Sequence, residues 1–89
     1  MTARWIVSGR VQGVGFRWFV RIAAQERRVT GGVRNLEDGR VEIQVSGESD
    51  RIAALLSAVR QGPPGARVDS VENLAADPDS ALGGFEVRF

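Results

Sequence analysis

The segment Gly9-Arg10-Val11-Gln12-Gly13-Val14-Gly15-Phe16-Arg17 joins a glycine-rich turn to an arginine at the start of a helix, a combination suited to gripping an oxyanion. Upstream, Trp5 to Ser8 is apolar and partly β-branched, as a strand should be, while downstream the apolar spacing becomes helical. At such a strand-to-helix junction the first N–H groups of the helix have no intrahelical acceptor. Glycines let the main chain turn so that several of these donors converge on one anion. Arg17 adds a permanent charge and a forked set of donors matched to phosphate oxygens. Two familiar glycine-rich alternatives fail on spacing. The dinucleotide fingerprint needs a third glycine where Trp18 stands, and the nucleotide P-loop needs a Gly-Lys-Ser/Thr ending that is absent. The plain alternative is that Gly9, Gly13 and Gly15 only form a tight turn.

The elements that position this segment follow from periodicity. From Phe16 to Arg27, the apolar residues Phe16, Phe19, Val20, Ala23 and Ala24 form one helical stripe. Arg17, Arg21 and Arg28 lie off it; a solvated face accounts for Arg21 and Arg28, whereas Arg17 sits in the first turn. Val33 to Leu36 and Arg40 to Ser46 read as two strands joined through Glu37-Asp38-Gly39, where Asp-Gly is a hairpin signal. Val41, Ile43 and Val45 alternate with Glu42, Gln44 and Ser46, which predicts one buried and one wet face. A second helix starts from Ser49 or Asp50 as N-cap, carries the stripe Ile52, Leu55, Leu56 and Val59, and stops at Gly62 and two prolines. Ala66 to Leu74 is a fourth strand, Ala75 to Gly84 with Asp77-Pro78-Asp79 a surface loop, and Phe85 to Phe89 a short final strand.

This order, β-α-β-β-α-β plus a terminal strand, predicts an α+β ferredoxin-like split βαβ sandwich, with two helices on one face of an antiparallel sheet. In that arrangement the first and second strands run parallel with the third between them. The segment Gly9 to Gly15 and Asn35 then emerge at the same sheet edge. An anion cradle beside a carboxamide is more than turn chemistry requires, although Asn35 next to a hairpin also fits a simple turn residue.

Composition bounds the rest. A chain of 89 residues is expected to form a single domain over 1–89, and 43% hydrophobic with 26% charged residues argues against disorder. With no cysteine and no histidine, disulfides, thiol nucleophiles, imidazole bases and the usual zinc or copper ligands are excluded. The N-terminus runs directly into a strand pattern without a long apolar run, so neither a signal peptide nor a membrane span is expected and the cytoplasm is the default. The sequence pI near 9.0 is misleading, because the net charge is only +1. All twelve basic side chains are arginine and nothing titrates between them and the carboxylates, so one excess charge drives the pI far upward. The arginines are dispersed along the chain, which does not support a nucleic-acid footprint, and no long apolar stripe calls for an obligate partner, so a monomer is expected.

With these residues in hand, the chain resembles the acylphosphatase family. In that family a Gly-Arg-Val-Gln-Gly-Val-x-Phe-Arg segment is followed by Gly-Trp/Phe-Val-x-Asn and a Gly-x-Val-Glu strand; here they are Gly9 to Arg17, Gly31 to Asn35 and Gly39-Arg40-Val41-Glu42. The resemblance extends over essentially the whole chain. It implies hydrolysis of acyl phosphates to a carboxylate and inorganic phosphate with no metal or cofactor, Arg17 matching the phosphate-binding arginine and Asn35 the water-orienting asparagine. One departure is Gly32, where the family usually carries a bulky aromatic. That leaves either looser packing near Asn35 or a gap filled by Trp5 or Trp18.

Acyl phosphates have a good leaving group, so positioning and charge stabilisation can suffice. The main-chain N–H groups of Gln12, Gly13, Val14, Gly15 and Phe16, with Arg17, are expected to hold the phosphoryl oxygens, and Asn35 to hold the attacking water. No side chain in these motifs is a convincing general base, so the substrate's own phosphate accepts the proton. Glu37, Asp38 and Glu42 are better explained by a hairpin and a wet strand face. A non-catalytic module that senses a phosphorylated metabolite, or docks within a larger maturation enzyme, would use the same cradle. RNA binding fits poorly, because Arg40 to Ser46 has no aromatic residue for a base to stack on.

Overall fold

Strict alternation suits the segment Val41–Ser46 to a central strand, and the computed structural model, which describes residues 1–76 and 83–88, has it in the middle of the sheet. The elements are β1 (Thr2–Arg10), α1 (Phe16–Glu26), β2 (Thr30–Asn35), β3 (Val41–Ser46), α2 (Ser49–Gln61), β4 (Arg67–Leu74) and β5 (Phe85–Arg88). They match the predicted order, with β1 and β2 beginning a few residues earlier than periodicity alone suggests. Most of the predicted loop at 75–84 and the last residue of the final strand lie outside the described residues.

The sheet order is β4-β1-β3-β2-β5. β3 is antiparallel to both neighbours, so β1 and β2 run parallel on either side of it. The sheet is nevertheless mixed rather than wholly antiparallel. β4 is antiparallel to β1, and β5, running back against β4, takes the direction of β2 and pairs with it in parallel.

One face of the sheet holds the core. Trp5, Val7, Val33, Val41, Ile43 and Val45 pack there with Phe16, Val20 and Ala24 of α1 and Ile52, Leu55 and Val59 of α2. Each large side chain so buried contributes about 1.5–3 kcal/mol. This common core fixes the start of α1 against the ends of β1 and β2.

Three details differ from expectation. Glu42 is not wet: it is only 6% exposed, because Arg4 on β1 and Arg34 on β2 close over its carboxylate, at 3.3 and 2.9 Å. Paired charges on both flanking strands make that burial tolerable. Secondly, the N-cap of α2 is Glu48, while Asp50 falls in the first turn, where its Oδ1 accepts from the Arg51 main-chain N–H. Thirdly, neither tryptophan fills the space over Gly32. Gly32 pairs with Gln44 and Glu86 and so faces away from the helices, whereas Trp5 pairs with the core residue Ile43 and Trp18 lies on α1. The Arg88 side chain covers the glycine instead. A Cβ built on Gly32 would stand 3.0 Å from Arg88 Nε.

Candidate active site

The five residues between β1 and α1 contain two glycines in left-handed conformations, Gly13 at φ 73° and Gly15 at φ 75°. Any other residue would be strained at these angles, at about 1–2 kcal/mol each. Gly15 is the N-cap of α1, and because it has no side chain it leaves the helix N-terminus uncapped. The first turn of α1 also contains no acidic residue, so nothing in it offsets the positive end of the helix dipole. In α2, by contrast, Asp50 occupies the first turn. Among the described residues, the main-chain N–H groups of Gln12 to Phe16 donate no turn or cap hydrogen bond. A Cβ added to Gly13 or Gly15 would meet nothing within 4 Å, so it is the backbone angle and not crowding that calls for glycine at both positions.

Against the loop lies a pocket of about 140 Å3 lined by Val11, Gly13, Gly15, Phe16, Arg17, Trp18 and Asn35. With a water's share of liquid volume at about 30 Å3, it has room for a phosphoryl group and an attacking water. Arg17 reaches it from the first turn of α1, and its Nη1 donates to the Arg88 carbonyl at 2.8 Å, so β5 braces the guanidinium. Asn35, the last residue of β2, pairs with Val41 and therefore faces the helix side of the sheet. Its Oδ1 is buried and has no hydrogen-bond partner among the described residues. An unsatisfied buried carbonyl costs about 1–3 kcal/mol, which a water or substrate proton in the pocket would offset.

Gln12 ties the loop to the β2–β3 hairpin. Its Nε2 donates to the Leu36 carbonyl at 2.8 Å and the Arg40 carbonyl at 3.0 Å. The same carbonyls accept from the main-chain N–H groups of Gly39 and Leu36, which close the hairpin. The Asp38 carboxyl is held below its ordinary range first by the Arg40 main-chain N–H and then by the Arg40 guanidinium, so it caps the turn. Glu42, buried on the other sheet face, is likewise occupied elsewhere.

A larger recess of about 350 Å3 lies between the end of α1 and the start of α2, where Arg27, Arg28 and Arg51 share the walls with Glu26 and Asp50. Its three guanidinium groups are largely offset by the two carboxylates beside them and by Glu48, which pairs with Arg51. No glycine amide lines it. The smaller pocket therefore has the better anion chemistry despite its size.

Comparison with known proteins shows the family of the chain. The family model described as Acylphosphatase matches residues 3–87. The chain belongs to the acylphosphatase family. It is 52% identical over 87 residues to an acylphosphatase of Anaeromyxobacter dehalogenans, covering 98% of this chain and 94% of that protein. The crystal structure of acylphosphatase from Bacillus subtilis superimposes with a TM-score of 0.92 at 36% identity, covering 99% and 98% of the two chains. T.kodakarensis HypF also matches, with a TM-score of 0.87 and 38% identity, but the chain spans only 12% of that larger protein.

All the site residues singled out from the sequence thus sit in or beside one pocket. Sequence reasoning missed three contributions: the Gln12 side chain as a tether, the Arg88 carbonyl as a brace for Arg17, and Trp18 as part of the pocket wall. Trp18 carried a signal, since a tryptophan off the apolar stripe of a helix calls for an explanation. The other two had none, because both depend on contacts distant in sequence. Among the described residues no group of His, Cys, Asp or Glu could hold a metal ion, and no helix is long and apolar enough to cross a membrane.

Proposed function

We propose that the chain is a hydrolase of acyl phosphates, with Arg17 and Asn35 as its catalytic side chains and the main-chain amides of Gln12 to Phe16 as its phosphate site. The observation that carries the reading is the buried, unpartnered Asn35 Oδ1 in the same pocket as Arg17 and the glycine loop. The amides and guanidinium hold the phosphoryl oxygens and stabilise charge that grows on them; one such donor is typically worth about 3–4 kcal/mol. Asn35 accepts a hydrogen bond from water and aims its oxygen at phosphorus. The new bond forms between water and phosphorus as the bond to the acyl oxygen breaks, and the carboxylate leaves with that electron pair. A phosphoryl oxygen takes the water proton. No metal or cofactor enters the scheme, and we read the chain as a cytoplasmic, monomeric enzyme of one domain, acting on small molecules rather than nucleic acid or membranes.

The likeness to a segment of the larger T.kodakarensis HypF favours a second reading, a module of a larger protein, and a module that only binds would use the same cradle. Phosphate release from benzoyl phosphate, measured with and without chelator, separates the two. The hydrolase reading expects chelator-insensitive release that Arg17→Lys reduces by at least about a hundredfold, because an ammonium keeps the charge but loses the fork. Saturable binding without release would establish the module.

A further inference from the structure

The phosphate site explains how one end of the substrate is gripped and says nothing about the acyl end. That end must leave the cradle through its mouth, because it is joined to phosphorus through the bond that breaks. Of the residues lining the pocket, Val11 and Phe16 are apolar but only 1% exposed, and the glycines have no side chain to offer. Trp18 is different. It lines the pocket and is 51% exposed.

A half-exposed indole in a pocket wall offers a large apolar face that a ligand can cover. Among the described residues the exposed large apolar side chains are Met1, Trp18 and Ile22, the last at 55%. Trp18 and Ile22 are four residues apart on α1 and so occupy one helix face. They form a short apolar strip that begins at the pocket mouth and runs away from it. The ring is not left to rotate freely. Arg21, one turn on, places its guanidinium carbon 5.4 Å from the indole centroid, and its Nε is buried. A cation held against an indole orients it.

Resting on the acyl phosphatase reading above, we infer that Trp18 is a specificity-determining residue: a platform, steadied by Arg21 and extended by Ile22, on which an aromatic or long apolar acyl group lies while the cradle holds its phosphoryl end. The substrate class is then acyl phosphates with a flat or extended apolar acyl group, in preference to acetyl phosphate. Arg21 does not touch the acyl group in this account. It is a positioning residue.

Two paired measurements test this. In the first, kcat/KM for benzoyl phosphate and acetyl phosphate is compared in wild type, Trp18→Ala and Trp18→Phe. The benzoyl-to-acetyl ratio should exceed one in wild type, fall about five- to tenfold in Trp18→Ala, and be largely kept in Trp18→Phe, with the change in KM rather than kcat; this is the scale of an aromatic contact. In the second, Kd values of benzylphosphonate and methylphosphonate, which cannot be hydrolysed, are measured on the same proteins by displacement of inorganic phosphate. The benzyl preference should vanish with Trp18 and weaken in Arg21→Gln. An unchanged ratio in Trp18→Ala, or an equal loss for both phosphonates, overturns the platform. Absence of turnover in wild type with the benzyl preference intact would instead defeat the hydrolase reading and leave the platform standing.

Discussion

Gln12 offers the sharpest way to separate the geometry of the cradle from its chemistry, because its side chain is tied to the hairpin while the proposed phosphate site uses only its main-chain N–H. Gln12→Ala deletes two partly buried hydrogen bonds, of 2.8 and 3.0 Å, to the Leu36 and Arg40 carbonyls. At about 0.5–1.5 kcal/mol each the loss is about 1–3 kcal/mol. Both carbonyls keep a main-chain partner, from Gly39 and Leu36, so neither is orphaned and the lower part of that range, about 1–2 kcal/mol, applies. For a domain of this size, melting should fall by about 4–16 °C. Freed from the hairpin, the loop no longer holds its amides at a fixed distance from Asn35, and kcat on benzoyl phosphate should fall at least about tenfold. Gln12→Glu should be worse at neutral pH, since a carboxylate faces two carbonyl oxygens and cannot donate. Those surroundings favour the neutral acid, so its folded pKa is raised above the unfolded value of about 4.3. The folded state then binds more protons than the unfolded one between those two values. Stability is therefore greatest at low pH and declines as pH rises through the folded pKa. Wild-type melting and turnover in Gln12→Ala, or a Gln12→Glu variant that melts no lower at pH 7 than at pH 4, would refute the tether.

The remaining predictions concern single contacts. Asn35→Ala should lower kcat strongly while leaving the inhibition constant of phosphate and the melting temperature close to wild type, because its Oδ1 has no partner among the described residues to lose; parallel loss of turnover and phosphate binding would make it a structural residue. Gly32→Ala should stabilise the protein by up to about 0.5–1 kcal/mol, since a strand glycine is replaced, the nearest obstacle is the end of the flexible Arg88 side chain, and the Glu86 carbonyl at 3.3 Å needs to give only slightly; a fall in melting temperature would mean that one of these neighbours cannot move aside. Asp38, whose pKa is lowered by Arg40, stabilises the hairpin above its unfolded value of 3.8, and that contribution is lost as pH falls through the lower folded value. Amide exchange at Arg40 should accelerate across that acid range in wild type and show no such step in Asp38→Asn.

What could be read from the sequence is local in character. The alternation of Val41, Ile43 and Val45, the stripe on α1 and the turn at Glu37-Asp38-Gly39 each depend on residues close in the chain, and they give the order of elements. Once that order is known, the parallel run of β1 and β2 about β3 brings Gly15 and Asn35 to one edge. Contacts across the sheet are another matter. The burial of Glu42 depends on Arg4 and Arg34 being on its two neighbouring strands, a fact of register. Likewise, the cover over Gly32 comes from β5, whose parallel pairing with β2 no periodicity in either segment encodes. The brace on Arg17 comes from the same strand.

The central claim is that the loop before α1, with Arg17 and Asn35, is where a phosphoryl group binds. Titration of the 15N-labelled protein with inorganic phosphate tests it residue by residue. The largest shifts should fall on the main-chain amides of Gln12 to Arg17 and the side-chain amide of Asn35, and Arg17→Lys should weaken them together. Shifts centred on Arg27, Arg28 and Arg51, in the larger recess at the other end of α1, would contradict it.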